Sequence, residues 1–177
     1  GPRQMAADGN TVMVVEQEDS DIDRWRVRFL ERTAEGDFVE VNRFPVDARR
    51  VSLGISGDTA VVMGYGIAHI YGRDVAGVWQ AQLEISTTRT FDDVAVLDGL
   101  VLIMGYGSFE WRNSLGRAQA VTSRARLFRR NAAGVWNQGP DLDQYLAEQP
   151  RIFGGNQVFP HSGRCALAPI GRGMLFL

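Results

Sequence analysis

Three groups of residues have types and spacings that could do chemistry. The run Asp19-Ser20-Asp21-Ile22-Asp23 sets carboxylates at alternate positions, the pattern by which a calcium loop presents hard oxygen ligands. Arg24 stands where the tight turn of such a loop wants glycine, and no Glu follows at the twelfth place. Asp19, Asp21 and Asp23 therefore read either as a calcium site or as a solvated acidic loop. A second group is Arg112, Arg117, Arg124, Arg126, Arg129 and Arg130, interleaved with Trp111 and Phe128, a mixture that could bind phosphate or nucleic acid. The net charge of −2 weighs against nucleic acid. Arg126 alternates with Ala125 and Leu127 as an exposed strand face would, so an electropositive edge for an acidic partner or a neighbouring unit fits better. The third group is Cys165, His69 and His161. A single cysteine excludes an intrachain disulfide framework and a multi-cysteine zinc site, and its setting in "CALAPI" reads as a buried, inert thiol. Ser56, in "GISGD", lacks the Gly-x-Ser-x-Gly spacing of a nucleophile elbow. The inventory implies no enzyme, and no cofactor beyond the calcium alternative.

The elements that would position these residues follow from the rest of the chain. Its 177 residues are 45% hydrophobic and 23% charged, the profile of one globular domain. Apolar runs such as Leu100 to Met104 fall far short of the roughly 20 residues a membrane-spanning helix requires. All 19 basic residues are Arg, with 10 Arg against 17 acids in residues 1–98 and 9 Arg against 4 acids in residues 99–177. Gly1-Pro2 looks like the remnant of a cleaved tag, so the natural chain is expected to extend further.

Three segments align without gaps: "VRFLERTAEGDF", "AHIYGRDVAGVW" and "ARLFRRNAAGVW". Each carries Arg, Gly and an aromatic at fixed places: Arg32, Gly36, Phe38; Arg73, Gly77, Trp79; Arg130, Gly134, Trp136. Upstream of them lie "ADGNTVMVV", "ISGDTAVVMGYG" and "VLDGLVLIMGYG", and "PIGRGMLFL" forms a fourth copy. Short β-branched runs broken by Gly, Asp and Asn read as hairpin-connected strands, and no helical periodicity is sustained. Each unit is four strands in about 42 residues, the period of a β-propeller blade; a β-sandwich, the main rival, needs no such repeat. The expected fold is all-β, with about three and a half blades: residues 3–49, 50–91, 92–163 with inserted loops at 108–123 and 143–163, and the first two strands of a further blade at 164–177.

The stretch "VSLGISGDTAVVMGYGIAHIYGRDVAGVWQAQLEI" resembles the FG-GAP repeat of integrin α-chain propellers and bacterial surface and secreted proteins. The resemblance implies a non-catalytic interaction module at the cell surface, in the cell envelope or outside the cell, binding a protein or glycan through rim loops. The alternative is a propeller scaffold attached to an enzyme or toxin domain elsewhere in a parent chain. The family's calcium loop is replaced here by "SGD" and "LDG". An open arc would expose an apolar face, so completion by missing chain or a second subunit is expected. Specificity should come from what differs between units. The loop at 108–123 carries Phe109, Trp111, Arg112 and Arg117, an aromatic and Arg mixture suited to partner contact; the alternative for Trp111 is that it folds back to cap its own blade.

Overall fold

A computed structural model describes residues 2–17, 24–46, 52–88, 91–105, 108–112, 118–122, 125–141, 167–170 and 173–176. The chain is all-β, with no helix among the described residues.

Unit 1 is a sheet of β1 (Pro2–Asp8), β2 (Thr11–Gln17), β3 (Trp25–Arg32) and β4 (Phe38–Val46), paired antiparallel in chain order. Unit 2 opens with β5 (Ser52–Ser56), β6 (Thr59–Met63), β7 (Ile67–Arg73) and β8 (Trp79–Thr87) in the same arrangement. Unit 3 is built from β9 (Phe91–Leu97), β10 (Leu100–Gly105), β13 (Ala125–Arg130) and β14 (Trp136–Asp141). Strands β15 (Leu167–Ile170) and β16 (Gly173–Phe176) form a separate hairpin. No sheet closes on itself.

The repeat extends to register. The central pairs Met13↔Phe29, Val61↔Ile70 and Leu102↔Leu127 occupy equivalent places in the three sheets. Turn chemistry sets this register. Gly57 and Gly99 take positive φ of 53° and 70° in the two-residue turns, which non-glycine residues adopt only with strain. In the turn between third and fourth strands, Asp74 Oδ1 accepts from Ala76 N and Val78 N, both at 2.9 Å. Asn131 Oδ1 does the same for Ala133 N and Val135 N, at 3.0 and 2.9 Å. These side-chain acceptors hold the loop that brings each aromatic back onto its strand.

The pleat sends alternate residues to opposite faces, and the sheets stack so that both faces are used. The forward face of sheet 1, with Met13, Val27 and Phe29, packs on the back face of sheet 2, with Ala60, Val62 and Tyr71. The forward face of sheet 2, with Val61, Ile70 and Leu83, packs on the back face of sheet 3, with Val101, Ile103 and Phe128. A third cluster, Leu100, Leu102, Ala125 and Leu127, lies on the forward face of sheet 3.

One difference from the sequence reading concerns the insertion at 108–123. Its described residues form strands β11 (Ser108–Arg112) and β12 (Ala118–Thr122), a hairpin and not a loop. Strand β11 pairs with the outer edge of β8, giving sheet 2 the order β12-β11-β8-β7-β6-β5. The hairpin is inserted into unit 3 of the sequence yet belongs to the sheet of unit 2. The physical reason is an open edge: β8 would otherwise leave its outer N–H and C=O groups unpaired, and β11 satisfies four register positions along it.

Candidate interaction surface

At one edge of the stack the first turns of the three sheets interlock. Gly57 N donates to Asp8 Oδ2 at 2.6 Å, and Asp58 N donates to Asp98 Oδ1 at 3.2 Å. Thr59 Oγ1 donates to Asp98 Oδ1 at 3.3 Å and accepts from Gly99 N at 2.8 Å. The repeated Arg residues strengthen the same edge. Arg73 Nε donates to Asp58 Oδ1 at 2.7 Å within its own unit, and Nη1 reaches Glu31 Oε1 of unit 1 at 2.9 Å. Burial alone would favour the neutral form of Arg73, but the Asp58 hydrogen bond is the larger effect and, with Glu31, holds its pKa above the ordinary value. Arg130 Nη2 donates to Asp98 Oδ1 and its Nη1 to the Asp58 carbonyl, both at 3.3 Å. Each Arg also lies over the aromatic of its own repeat, Arg73 at 5.5 Å from the Trp79 ring and Arg130 at 5.9 Å from the Trp136 ring. The carboxylates of Asp8, Glu31 and Asp98 are thus engaged as clamps between units, while that of Asp58 holds Arg73 within unit 2. Sequence reasoning placed the Arg positions but not these acids; the Asp of the turn tripeptides was the signal for Asp58 and Asp98, and Glu31, on β3, had none.

The indoles complete the joints. Trp79 stacks on Phe29 of sheet 1 with ring centroids 4.5 Å apart, and its Nε1 donates to Glu31 Oε1 at 3.4 Å. Trp136 Nε1 donates to Gln82 Oε1 of sheet 2 at 2.8 Å.

The residues singled out for partner contact separate. Trp111 lies on β11 opposite Ile85 and is only 6% exposed. Its ring meets Phe128 of sheet 3 edge-on, centroids 5.6 Å apart at 79°. The indole belongs to the core between sheets 2 and 3 and not to the surface, because a large apolar side chain gains more from that apolar interface than from water. Phe109 and Arg112 are placed by backbone register, Phe109 opposite Thr87 and Val121, Arg112 opposite Glu84 and Ala118. Glu110, between Phe109 and Trp111, is exposed. Arg117, Asp19, Asp21 and Asp23 lie outside the described residues, as does the segment 143–163. Among the described residues no group of three or more His, Cys, Asp or Glu could hold a metal ion.

Of the Arg cluster, the described Arg126, Arg129 and Arg130 do not share one surface, and Arg124 lies outside the described residues. Arg126, expected on an exposed strand face, is 4% exposed, because it shares with Phe128 the face of β13 that packs against sheet 2. Arg130 is committed to the turn network, while Arg129 is exposed. No helix among the described residues is long and apolar enough to cross a membrane.

In comparisons with known proteins, no family model and no curated protein sequence matches the chain.

Proposed function

We propose that the chain is a non-catalytic interaction module, an arc of β-propeller blades from a secreted or cell-surface protein, which holds a protein or glycan partner at the β11–β12 hairpin. The observation that carries this reading is that the hairpin is the one described element outside the repeat. Units 1 and 3 stop at four strands, whereas sheet 2 is extended to six. Packing accounts for what the units share, so selectivity resides in what one of them adds.

The hairpin supplies two means of contact. The outer edge of β12 offers backbone donors and acceptors for an added strand. The pleat sets positions 110 and 112 on the side of β11 away from Trp111, where Glu110 is exposed. Back-to-front stacking of the units, with the innermost strands β1, β5 and β9 in successive contact, supports the propeller arc.

The test is binding to a glycan array and to a displayed library of extracellular protein domains, repeated with Glu110→Ala/Arg112→Ala. Loss of a selected ligand at unchanged melting temperature supports the hairpin as the contact. A ligand bound equally well by the variant moves the site elsewhere, and turnover of any array substrate contradicts the non-catalytic assignment.

A further inference from the structure

Units 2 and 3 bury equivalent positions against the unit before them. In sheet 2 these are Ala60, Val62, Tyr71 and Trp79; in sheet 3 they are Val101, Ile103, Phe128 and Trp136. In sheet 1 the same positions hold Val12, Val14, Leu30 and Phe38. With Met5 these line an open groove of about 450 Å³. Phe38 is 49% exposed and Met5 69%, whereas the equivalent Trp79 and Trp136 are 1% and 2% exposed. Sheet 1 therefore carries the apolar surface of a joint that is made twice elsewhere in the chain.

The polar part of the joint is open in the same way. Arg73 reaches back to Glu31 of unit 1, and Arg130 back to the Asp58 carbonyl of unit 2. Arg32 is the third member of this series. Its backbone is in the repeat conformation, since Arg32 N donates to Asn10 O at 2.9 Å as Arg73 N does to Asp58 O. Its side chain is exposed and meets no carboxylate among the described residues.

We infer that the back face of sheet 1 seats a further four-stranded unit of the same repeat class. The third strand of that unit presents an aromatic to Phe38 and a carboxylate to Arg32, as Phe29 and Glu31 do for Trp79 and Arg73. The two existing interfaces say what covers such a face, and the joint between units 1 and 2, where Glu31 meets Arg73, supplies the charge of the partner group. A second copy of the chain does not offer this partner from its described strands. The forward faces of units 1 and 2 are covered in cis, that of unit 3 is already buried, and β15–β16 has no third strand to carry the acid. The inference goes beyond the interaction-module reading and stands if that reading fails, because it rests only on the packing between units.

The experiment joins a duplicate of residues 2–51 ahead of β1, so that Phe29 and Glu31 of the duplicate face Phe38 and Arg32 of the original. Stability in repeat arrays sums over nearest-neighbour interfaces, so the extended chain should melt about 5 °C higher. Glu31→Gln in the duplicate and Arg32→Gln in the original should each remove part of that gain, and the double variant no more than either alone. Arg32→Gln in the unextended chain should leave its melting temperature unchanged. A monomeric extended chain with no gain in melting temperature overturns the inference. So does additive loss in the double variant, which would show that the two groups do not meet. Light scattering on the unextended chain provides the remaining arm: a stable dimer dissolved by Phe38→Arg would make a second copy the occupant and overturn the assignment.

Discussion

Trp79 lies parallel to Phe29 of the preceding sheet, with ring centroids 4.5 Å apart and an interplanar angle of 16°. Phe38 holds the equivalent place in unit 1 and is half exposed. Identical repeat positions therefore carry different energetic weight according to whether a unit precedes them. Trp79→Ala should cost about 3–5 kcal/mol, the range for emptying a buried aromatic site. Phe38→Ala should cost under about 1 kcal/mol, as surface changes do. Urea unfolding of the two variants measures the difference, and equal losses would contradict the stacking order.

Gly54 of β5 faces the side chain of Val96 of β9, between sheets 2 and 3, with no room for a side chain of its own. A Cβ at residue 54 would sit 2.4 Å from Val96 Cγ2. Gly54→Ala should destabilise by about 1–3 kcal/mol through overpacking. Val96→Ala in the same chain should recover part of the loss, because it removes the atom that clashes. Denaturation of both single variants and the double variant checks this, and strict additivity would mean the two residues do not touch.

Glu40 on β4 accepts hydrogen bonds from Arg28 Nε and Arg43 Nε, the latter at 2.8 Å. Burial works to raise its pKa, but the hydrogen bonds and charges of Arg28 and Arg43 together bring it below its usual value of 4.5. A carboxylate lowered in the folded state adds stability that is complete above the ordinary carboxylate range and is lost as pH falls through the folded value. The site is close to solvent, so the contribution stays below about 1 kcal/mol. Glu40→Gln should melt slightly below the parent at pH 6, and the gap should close as pH falls through the folded value of Glu40. A gap that widens on acidification would contradict the sign.

The repeat was legible because its determinants are local. Gly57 and Gly99 sit in turns that demand positive φ, and Asp74 and Asn131 hold the following turns. Such requirements recur at fixed spacing and mark the strands between them. The acids that Arg73 and Arg130 engage were not legible, since Glu31 and Arg73 are 42 residues apart and meet only through sheet stacking. The β11–β12 hairpin was missed as secondary structure because it matches no other unit, and for the same reason the sequence left Trp111 between surface contact and a folded-back position. Its burial depends on β11 pairing with β8, a choice of edge that no local pattern encodes. Arg126 misled in the opposite direction: alternation with Ala125 and Leu127 puts it on the other face of β13, and that face, shared with Phe128, is buried against sheet 2.

Methionine oxidation tests the packing order most directly, because the chain carries its own probes. Met5 lies on the open back face of sheet 1 at 69% exposure, while Met13, on the forward face of the same sheet, is fully buried at 0%. Sulfoxide formation follows exposure. Limited peroxide treatment of the native chain, read by peptide mass spectrometry, should oxidise Met5 well before Met13, and denaturation should abolish the difference. Met13 oxidised as readily as Met5 in the native chain would contradict the seating of sheet 2 on sheet 1, and Met5 as protected as Met13 would contradict the open seat.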